Sequence, residues 1–222
     1  MEYALHADER PAGRLFDTGT FTQRLVDLAG EHPAEEADEV LYVLSGAGRV
    51  RLGDAEHGLR AGVAVFVPAG TSWAADGDAR AVSVLVHDPA AATGPAGVDL
   101  AAVEPGTATA GRHFLLGATP EVGCNSATQF VGLIPPGRAP DHFHRYDEVI
   151  YVLEGKGELS IAGEQAQLRA GSCVHLPRTL VHCLANTGGG ELRVLGVFRP
   201  AGSPAEAYYP DGTPAAVPDE EE

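Results

Sequence analysis

The stretch Gly137-Arg-Ala-Pro-Asp-His-Phe-His-Arg-Tyr-Asp-Glu-Val-Ile-Tyr-Val-Leu-Glu-Gly155 determines how the rest of the chain is interpreted. Successive side chains of an extended strand point to opposite faces, so His142 and His144 leave the backbone on the same side. If the chain stays extended, that face continues through Glu148 to apolar, core-type residues such as Ile150. A glutamate in line with core positions needs a partner, because an uncompensated buried charge is very costly. A divalent metal satisfies two neutral imidazoles and a carboxylate together.

A second stretch, Gly171-Ser-Cys-Val-His-Leu-Pro-Arg-Thr-Leu-Val-His-Cys-Leu-Ala-Asn186, contains a further candidate ligand. The pattern predicts a strand, a turn at Pro177 and a second strand that opens at His182. An antiparallel partner can bring the imidazole of His182 beside the first three groups.

Together the two stretches resemble the paired motifs of the cupin superfamily, Gly-x5-His-x-His-x(3,4)-Glu-x6-Gly and Gly-x5-Pro-x-Gly-x2-His-x3-Asn. The resemblance implies a small antiparallel jelly-roll barrel with one divalent transition metal inside. The metals compatible with such a site are Fe, Mn, Co, Ni, Cu and Zn. The ligands implied by the resemblance are His142, His144, Glu148 and His182.

Two positions depart from the family pattern. Gly137 lies one residue nearer to His142 than the first motif requires, and Thr179 occupies a glycine position of the second motif. Both departures fall in turns, so they concern loop geometry more than metal ligation.

The chain also repeats itself. Glu39-Val-Leu-Tyr-Val-Leu-Ser-Gly46 is almost the same string as Glu148-Val-Ile-Tyr-Val-Leu-Glu-Gly155, and the same spacing relates Gly62 to Gly171. The short apolar runs with turn residues between them predict an all-β fold. The predicted strands cover residues 21–28, 39–44, 49–52, 63–67 and 81–86 in the first copy, and 129–134, 148–153, 158–161, 173–176 and 192–198 in the second.

The repeat is therefore interpreted as two tandem cupin-type jelly-roll β-barrels, a bicupin. Residues 1–100 form the first predicted domain and residues 101–222 the second, with the small residues and prolines of Asp88–Gly97 as a linker. Because a barrel closes its own sheet edges, the two domains need not share strands. In the tail, Tyr208 and Tyr209 are candidates to hold the chain against a barrel, while the acidic end is expected to be mobile.

The repeat assigns each predicted ligand a counterpart in the first copy. The pairs are His142 with Pro33, His144 with Glu35, Glu148 with Glu39, and His182 with Trp73. Because the imidazoles are lost at these positions and tryptophan does not ligate a metal, we expect the first barrel to be metal-free. Structural support, dimerisation and shaping of the entrance to the second site are roles compatible with it, so a homodimer is an open expectation.

Composition excludes several function classes. The net charge of −16 over 222 residues argues against nucleic acid or an anionic membrane surface as partner. Three unpatterned cysteines predict no disulfide framework. No signal peptide or membrane-spanning run is visible, so the expected location is the cytoplasm and the expected partner a small-molecule substrate.

Residues outside the motifs have plainer interpretations. His6, His57, His87 and His113 are expected to be surface or hydrogen-bonded histidines. Arg138, Arg145 and Tyr146 flank the first motif, where they could meet an anionic substrate, but a solvated loop is the simpler interpretation. Cys183 is expected to be a small buried residue and not a ligand.

Three functions are compatible with such a site. The leading hypothesis is a dioxygenase-type oxidoreductase acting on a small organic molecule, by analogy with similar bicupins. The second is a non-oxidative isomerase or lyase that uses the metal as a Lewis acid. The third is a binding or storage module that holds a small molecule without turning it over. No general base beyond the ligands is conspicuous, and the catalytic residues stay unassigned.

Overall fold

Strands separated by tight turns make up most of the protein in the computed structural model, which describes residues 2–10 and 13–215. The acidic end Asp219–Glu222, for which a mobile tail is predicted, lies outside the described residues. The described helical segments are single 3-10 turns, at Ala7–Glu9, Leu100–Ala102, Thr109–Gly111 and Pro120–Val122. None of them is long and apolar enough to cross a membrane.

The first half of the chain folds into one barrel made of two facing sheets. The strands of this half of the chain are β1 Ala4–His6, β2 Arg14–Asp17, β3 Phe21–Asp27, β4 Gly30–His32, β5 Asp38–Ser45, β6 Ala47–Leu52, β7 Ala55–Arg60, β8 Val63–Val67, β9 Trp73–Gly77, β10 Arg80–Val86 and β11 Ala96–Asp99. The larger sheet has the order β11-β8-β5-β10-β3-β2 and the smaller one β4-β9-β6-β7, with β1 in neither.

The second half repeats this plan. Its strands are β12 Gly106–Thr107, β13 His113–Leu116, β14 Thr128–Ile134, β15 Asp147–Glu154, β16 Lys156–Ile161, β17 Glu164–Arg169, β18 Ser172–Leu176, β19 His182–Asn186 and β20 Leu192–Arg199. The sheets are β1-β18-β15-β20-β14-β13-β12 and β17-β16-β19. The all-β class and the tandem jelly-roll architecture predicted from the sequence are confirmed.

The two barrels exchange strands. β1 precedes the first barrel but pairs antiparallel with β18 of the second, and β11 leaves the linker to pair with β8 of the first. Each barrel therefore receives an edge strand from the segment that leads into the other. Barrel closure alone does not require such sharing; it arises here because β8 and β18 each leave an edge that a neighbouring extended segment covers. The boundary near residue 100 stays a prediction.

β5 and β15 are buried on both faces. In β15, Ile150 and Val152 belong to the interior of the second barrel, whereas Val149 and Tyr151 belong to a core shared by the two barrels. The predicted alternation through Glu148, Ile150 and Val152 is thus confirmed. The shared core joins the large sheets back to back, so the end of β15 that carries Glu148 is held by packing on two sides.

Glycine turns close both barrels in the same way. Gly46 and Gly155 follow β5 and β15 with φ of 76° and 92°, in the left-handed region that favours glycine. A Cβ at Gly155 would approach the carbonyl oxygen of Glu191 to 2.8 Å. The conformation and the close backbone approach explain why the repeated string ends in glycine in both copies.

Candidate metal centre

Three imidazoles meet inside the second barrel. His142 and His144 lie in the extended segment before β15, and His182 is the first residue of β19. The backbone of His142 pairs with that of His182 through N–H to O hydrogen bonds of 3.0 and 2.8 Å in the two directions. One ring nitrogen from each of the three histidines lies within 4.8 Å of the others. The structure thus brings together three of the four ligands predicted from the sequence.

Each of the three rings is oriented by a backbone carbonyl. The Nδ1 atoms of His142, His144 and His182 lie 2.9, 2.7 and 2.8 Å from the carbonyl oxygens of Pro140, Glu206 and Leu180. A carbonyl oxygen only accepts, so Nδ1 carries the hydrogen and Nε2 keeps its lone pair. Metal-ligating histidines show this second hydrogen bond almost without exception, since it fixes the tautomer and the ring orientation.

The three rings are neutral at physiological pH. Burial lowers the pKa of each of them: that of His144 falls well below its ordinary value and that of His182 falls to about 4. Proximity of the histidines to one another adds to the effect at His144 and His182. Neutral imidazoles are the form that binds metal.

Glu148 lies in the same cavity but outside the group of nitrogens that meet within 4.8 Å. Burial raises the pKa of its carboxyl to about 8, with repulsion from Asp147 as a smaller cause. No hydrogen bond from the described residues offsets this burial. Opposite it, a Cβ on Gly196 would lie 2.8 Å from Oε1 of Glu148, so a glycine there leaves the carboxyl its space.

The cavity around these residues is small and mostly apolar. It encloses about 80 Å³. Its apolar walls come from Phe114, Phe130, Ile134, Ile150, Leu176, Leu184 and Val194. Pocket volumes for drug-sized ligands are several times larger, so the site suits a molecule of a few heavy atoms.

Tyr146 is part of the cavity wall and not of a solvated loop. The residue is 4% exposed, and its ring stacks on His144 at a centroid distance of 4.6 Å and on Phe198 at 3.9 Å. Burial raises the pKa of its phenol well above the ordinary value. By contrast, the surface-loop interpretation fits Arg138, which pairs with Asp141, and Arg145, which lies over the ring of Tyr208.

Two parts of the site escaped sequence analysis. Arg112, just before β13, lines the cavity and donates from Nη2 to the carbonyl oxygen of Leu184 at 2.6 Å. The segment after β20 covers the cavity with Pro204, Ala205 and Ala207 and supplies the carbonyl that orients His144. No motif marks Arg112. For the covering segment the only signal is Tyr208, which forms a β-bridge to Phe143 and stacks on it, in agreement with the predicted attachment of the tail.

The same place in the first barrel has other chemistry. The carboxylate of Glu39 accepts hydrogen bonds from Arg24 at 3.0 Å, Ser83 at 2.5 Å and Trp73 at 3.3 Å. His32 stacks on Trp73 at 3.6 Å, and its Nε2 donates to the carbonyl of Leu28.

One sequence assignment in the first barrel is wrong. His32 pairs with Trp73 as His142 pairs with His182, so the counterpart of His142 is His32 and not Pro33. The segment from this histidine to the glutamate that both copies share is one residue longer in the first copy, which shifts the register locally. The assignment of Trp73 to His182 is confirmed. Trp73 pairs with Leu52, and His182 pairs with Ile161, the counterpart of Leu52 in the repeat.

Comparison with known proteins gives consistent matches over both halves. Residues 27–87 and 130–198 match the family described as cupin domain. The polyketide synthase CurC of Streptomyces cyaneus is 29% identical over 128 residues, which are 57% of this chain and 83% of that protein.

Solved structures of low sequence identity share the fold. A putative glyoxylate-induced protein from Pseudomonas aeruginosa superposes with a TM-score of 0.67 at 20% identity, over 80% of this chain and 74% of that one. Oxalate decarboxylase from Bacillus subtilis, a protein with Mn(II) centres, superposes with a TM-score of 0.69 at 14% identity, over 90% of this chain and 73% of that one. At such identities the likeness concerns the fold alone.

Proposed function

Because the chain belongs to the cupin family, we propose that it is a metal-dependent enzyme whose active centre lies in the second barrel. The observation that carries the proposal is the group of three neutral imidazoles, each with Nδ1 bound to a carbonyl. His142, His144 and His182 would hold a divalent transition metal, and Glu148 is the carboxylate that would complete the set.

The donor set is compatible with Fe(II), Mn(II), Co(II), Ni(II), Cu(II) and Zn(II), because selection among these depends on geometry and supply more than on affinity. Manganese and iron are the first to test, since Mn(II) occurs in oxalate decarboxylase, which has a similar fold. Ligation by Glu148 would displace the proton that its raised pKa retains at neutral pH.

For the reaction we propose a dioxygenase-type oxidation of a small organic molecule. A redox metal held by His142, His144, His182 and Glu148 would supply the activation of O2 and of the substrate. The chain supplies a cavity that admits a small molecule and, through its apolar walls, limits water. Tyr146, whose raised pKa keeps its phenol protonated, can donate a hydrogen bond to a bound oxygen atom of the substrate.

Metal analysis and oxygen uptake test this proposal. We expect about one metal ion per chain after loading with Mn(II) or Fe(II), and a large loss of metal in Glu148→Ala. Oxygen consumption that depends on a small organic substrate should follow in the loaded protein. Failure of the loaded protein to retain any of the six metals would overturn the proposal, and so would the absence of substrate-dependent oxygen uptake.

A non-oxidative lyase or isomerase is the second candidate. It is supported by the likeness of the fold to oxalate decarboxylase, by its name a decarboxylase, and by the fact that a metal at the same three histidines could polarise a substrate oxygen without O2. Turnover that persists under argon with Zn(II) in the site would favour this candidate over the dioxygenase-type enzyme. A ligand that binds without being consumed under either condition would instead indicate a binding or storage protein.

A further inference from the structure

Arg112 brings a positive charge into the wall of the cavity without an acidic side chain to balance it. Arg112 is partly exposed, and desolvation is the main influence on the pKa of its guanidinium, which is lowered. Within residues 2–10 and 13–215, no carboxylate forms an ion pair with it, and its side-chain hydrogen bond goes to the neutral carbonyl of Leu184. A cation that loses part of its hydration and has only a neutral partner in the chain is better stabilised by an anion, so this arrangement favours an anion from outside the chain.

The guanidinium acts on the same cavity as the histidines. Arg112 lines the same cavity as His142, His144 and His182, and its charge is one of the smaller causes of their lowered pKa values. A bound divalent metal would add a second positive centre to this enclosed space. Even with Glu148 ionised, the sum of the charges would stay positive, and an anionic ligand would therefore be attracted to the cavity.

We propose that Arg112 anchors the carboxylate of a small organic acid whose other end reaches the three-histidine centre. The assignment rests on the proposed function, because it takes the histidine group as the reacting end of the site. A planar guanidinium fork matches a planar carboxylate, and one of its nitrogens is already used by Leu184. The volume of about 80 Å³ and the apolar walls limit the acid to a few carbon atoms. A phosphate is less well matched, because its additional oxygens would face apolar walls.

Calorimetric titration of Zn(II)-loaded protein tests the proposal without turnover by oxygen. The probes are acetate, glyoxylate and oxalate, with acetamide as the neutral analogue of acetate and inorganic phosphate as another anion. We expect at least one of the carboxylates to bind and acetamide not to bind. Arg112→Met should weaken carboxylate binding at least tenfold, while Arg112→Lys, which keeps the charge but loses the fork, should lie between Met and the wild type.

Arg178→Met is the matched control, since Arg178 is exposed and lies outside the cavity wall. It should bind the carboxylates as the wild type does. Metal content and the thermal unfolding midpoint are measured for every variant, and both should stay unchanged in Arg112→Lys. If Arg112→Met does not fold, the carboxylate affinity of Arg112→Lys is compared with that of Arg178→Met. A weaker affinity in Arg112→Lys supports the anchor, and equal affinities overturn it.

The possible outcomes separate this inference from the proposed function. Loss of all metal binding in the wild type would remove the proposed function, whereas carboxylate binding that depends on Arg112 in the metal-free protein would still support the anchor. A metal-loaded wild type that binds no carboxylate would overturn the anchor alone. Equal affinity in Arg112→Met, or tighter Arg112-dependent binding of phosphate than of any carboxylate, would also overturn it.

Discussion

The two barrels place a glutamate at the same position of equivalent strands and surround it with opposite chemistry. Glu39 on β5 is held by an arginine, a serine and the indole of a tryptophan. Glu148 on β15 has none of these donors, and its pKa rises to about 8 because burial is not offset. One carboxylate is paired with a cation of the protein itself, while the other has no such partner among the described residues and is the proposed ligand of a metal.

Strand registers identify the substitutions behind this difference. Ser83 lies opposite both Arg24 and Leu41, and Gly196 lies opposite both Phe130 and Ile150. Phe130 and Gly196 are therefore the counterparts of Arg24 and Ser83. The third donor, Trp73, corresponds to His182. In the second barrel the three donors to the glutamate are thus replaced by a phenylalanine, a glycine and a potential metal ligand. The comparison teaches that one fold retains the buried glutamate in two surroundings, with an internal ion pair in the first barrel and beside three imidazoles without an ion pair in the second.

The largest expected effect is the loss of metal on removal of one imidazole from the second barrel. His144→Ala takes away one of the three ring nitrogens and leaves the backbone carbonyl of Glu206 without the ring N–H that it accepts. We expect the metal content after loading and dialysis to fall at least tenfold, because affinity depends on ligand count. Metal analysis of the purified variant measures it.

His32→Ala is the control from the first barrel, because His32 corresponds to His142 but stacks on Trp73. It should retain the full metal content. Equal losses in His144→Ala and His32→Ala would break the comparison, because they would mean that both barrels contribute to metal binding.

The next effect concerns the ion pair in the first barrel. Arg24→Met removes the cation that lies 3.0 Å from Glu39, whose side chain is only 5% exposed. The buried carboxylate would keep Ser83 and Trp73 as donors, so we expect a loss of about 3 kcal/mol in the free energy of unfolding, at the lower end of the cost of breaking a buried pair. Urea unfolding at neutral pH measures it.

The double variant Arg24→Met/Glu39→Gln sharpens this prediction. With the charge of Glu39 removed, part of the lost stability should return, since no unpaired charge is left behind. A double variant less stable than Arg24→Met would show that the network stabilises the barrel by packing and not by charge.

In the second barrel the corresponding carboxylate should destabilise the metal-free protein. The pKa of Glu148 is raised from 4.5 to about 8, so the folded protein holds a proton that the unfolded chain releases, and its stability falls as pH rises through this window. Glu148→Gln has no such proton. Its free energy of unfolding should equal that of the wild type near pH 4.5 and exceed it by on the order of 2 kcal/mol at pH 8, less than the full linkage value because a metal-free cavity can relax.

Glu39→Gln provides the contrast, because it should lower stability at pH 8 by removing the partner of Arg24. Urea unfolding of metal-free protein at both pH values measures the two variants. If Glu148→Gln were less stable than the wild type at pH 8, a donor to Glu148 would have to exist, and the contrast between the barrels would be lost.

The sequence predicts the parts of this comparison that depend on local pattern. The alternation through Glu148 and Ile150 places the carboxyl inside the barrel, and the spacing of His142 and His144 places two imidazoles beside it. The rest depends on contacts between segments far apart in the chain. Arg112 belongs to no motif and reaches the cavity only because β13 pairs with β14.

Irregular connections limit prediction in the same way. The exchange of β1 and β11 follows from which edges are left open, and this is not visible in the pattern of either strand. The counterpart of His142 is missed because one additional residue lies between His32 and Glu39 in the first copy, and a repeat aligned without gaps cannot accommodate it.

The smallest expected effect lies in the turn where the second copy departs from its motif. Thr179 has φ of 64° and its counterpart Gly70 has φ of 78°, so both turns require the left-handed conformation. A β-branched residue in this conformation costs roughly 1–2 kcal/mol of stability, which Thr179→Gly would recover. Part of that gain is lost again, because glycine has a larger conformational entropy in the unfolded chain. We therefore expect Thr179→Gly to raise the free energy of unfolding by about 1 kcal/mol. Gly70→Thr should lower it by a similar amount through backbone strain alone, since a Cβ at Gly70 would meet no atom within 4 Å.

Urea unfolding measures the stability of both variants. If Thr179→Gly were less stable than the wild type, the threonine would have to stabilise its turn. The contact available for this is the hydrogen bond from its hydroxyl to the carbonyl of Arg178.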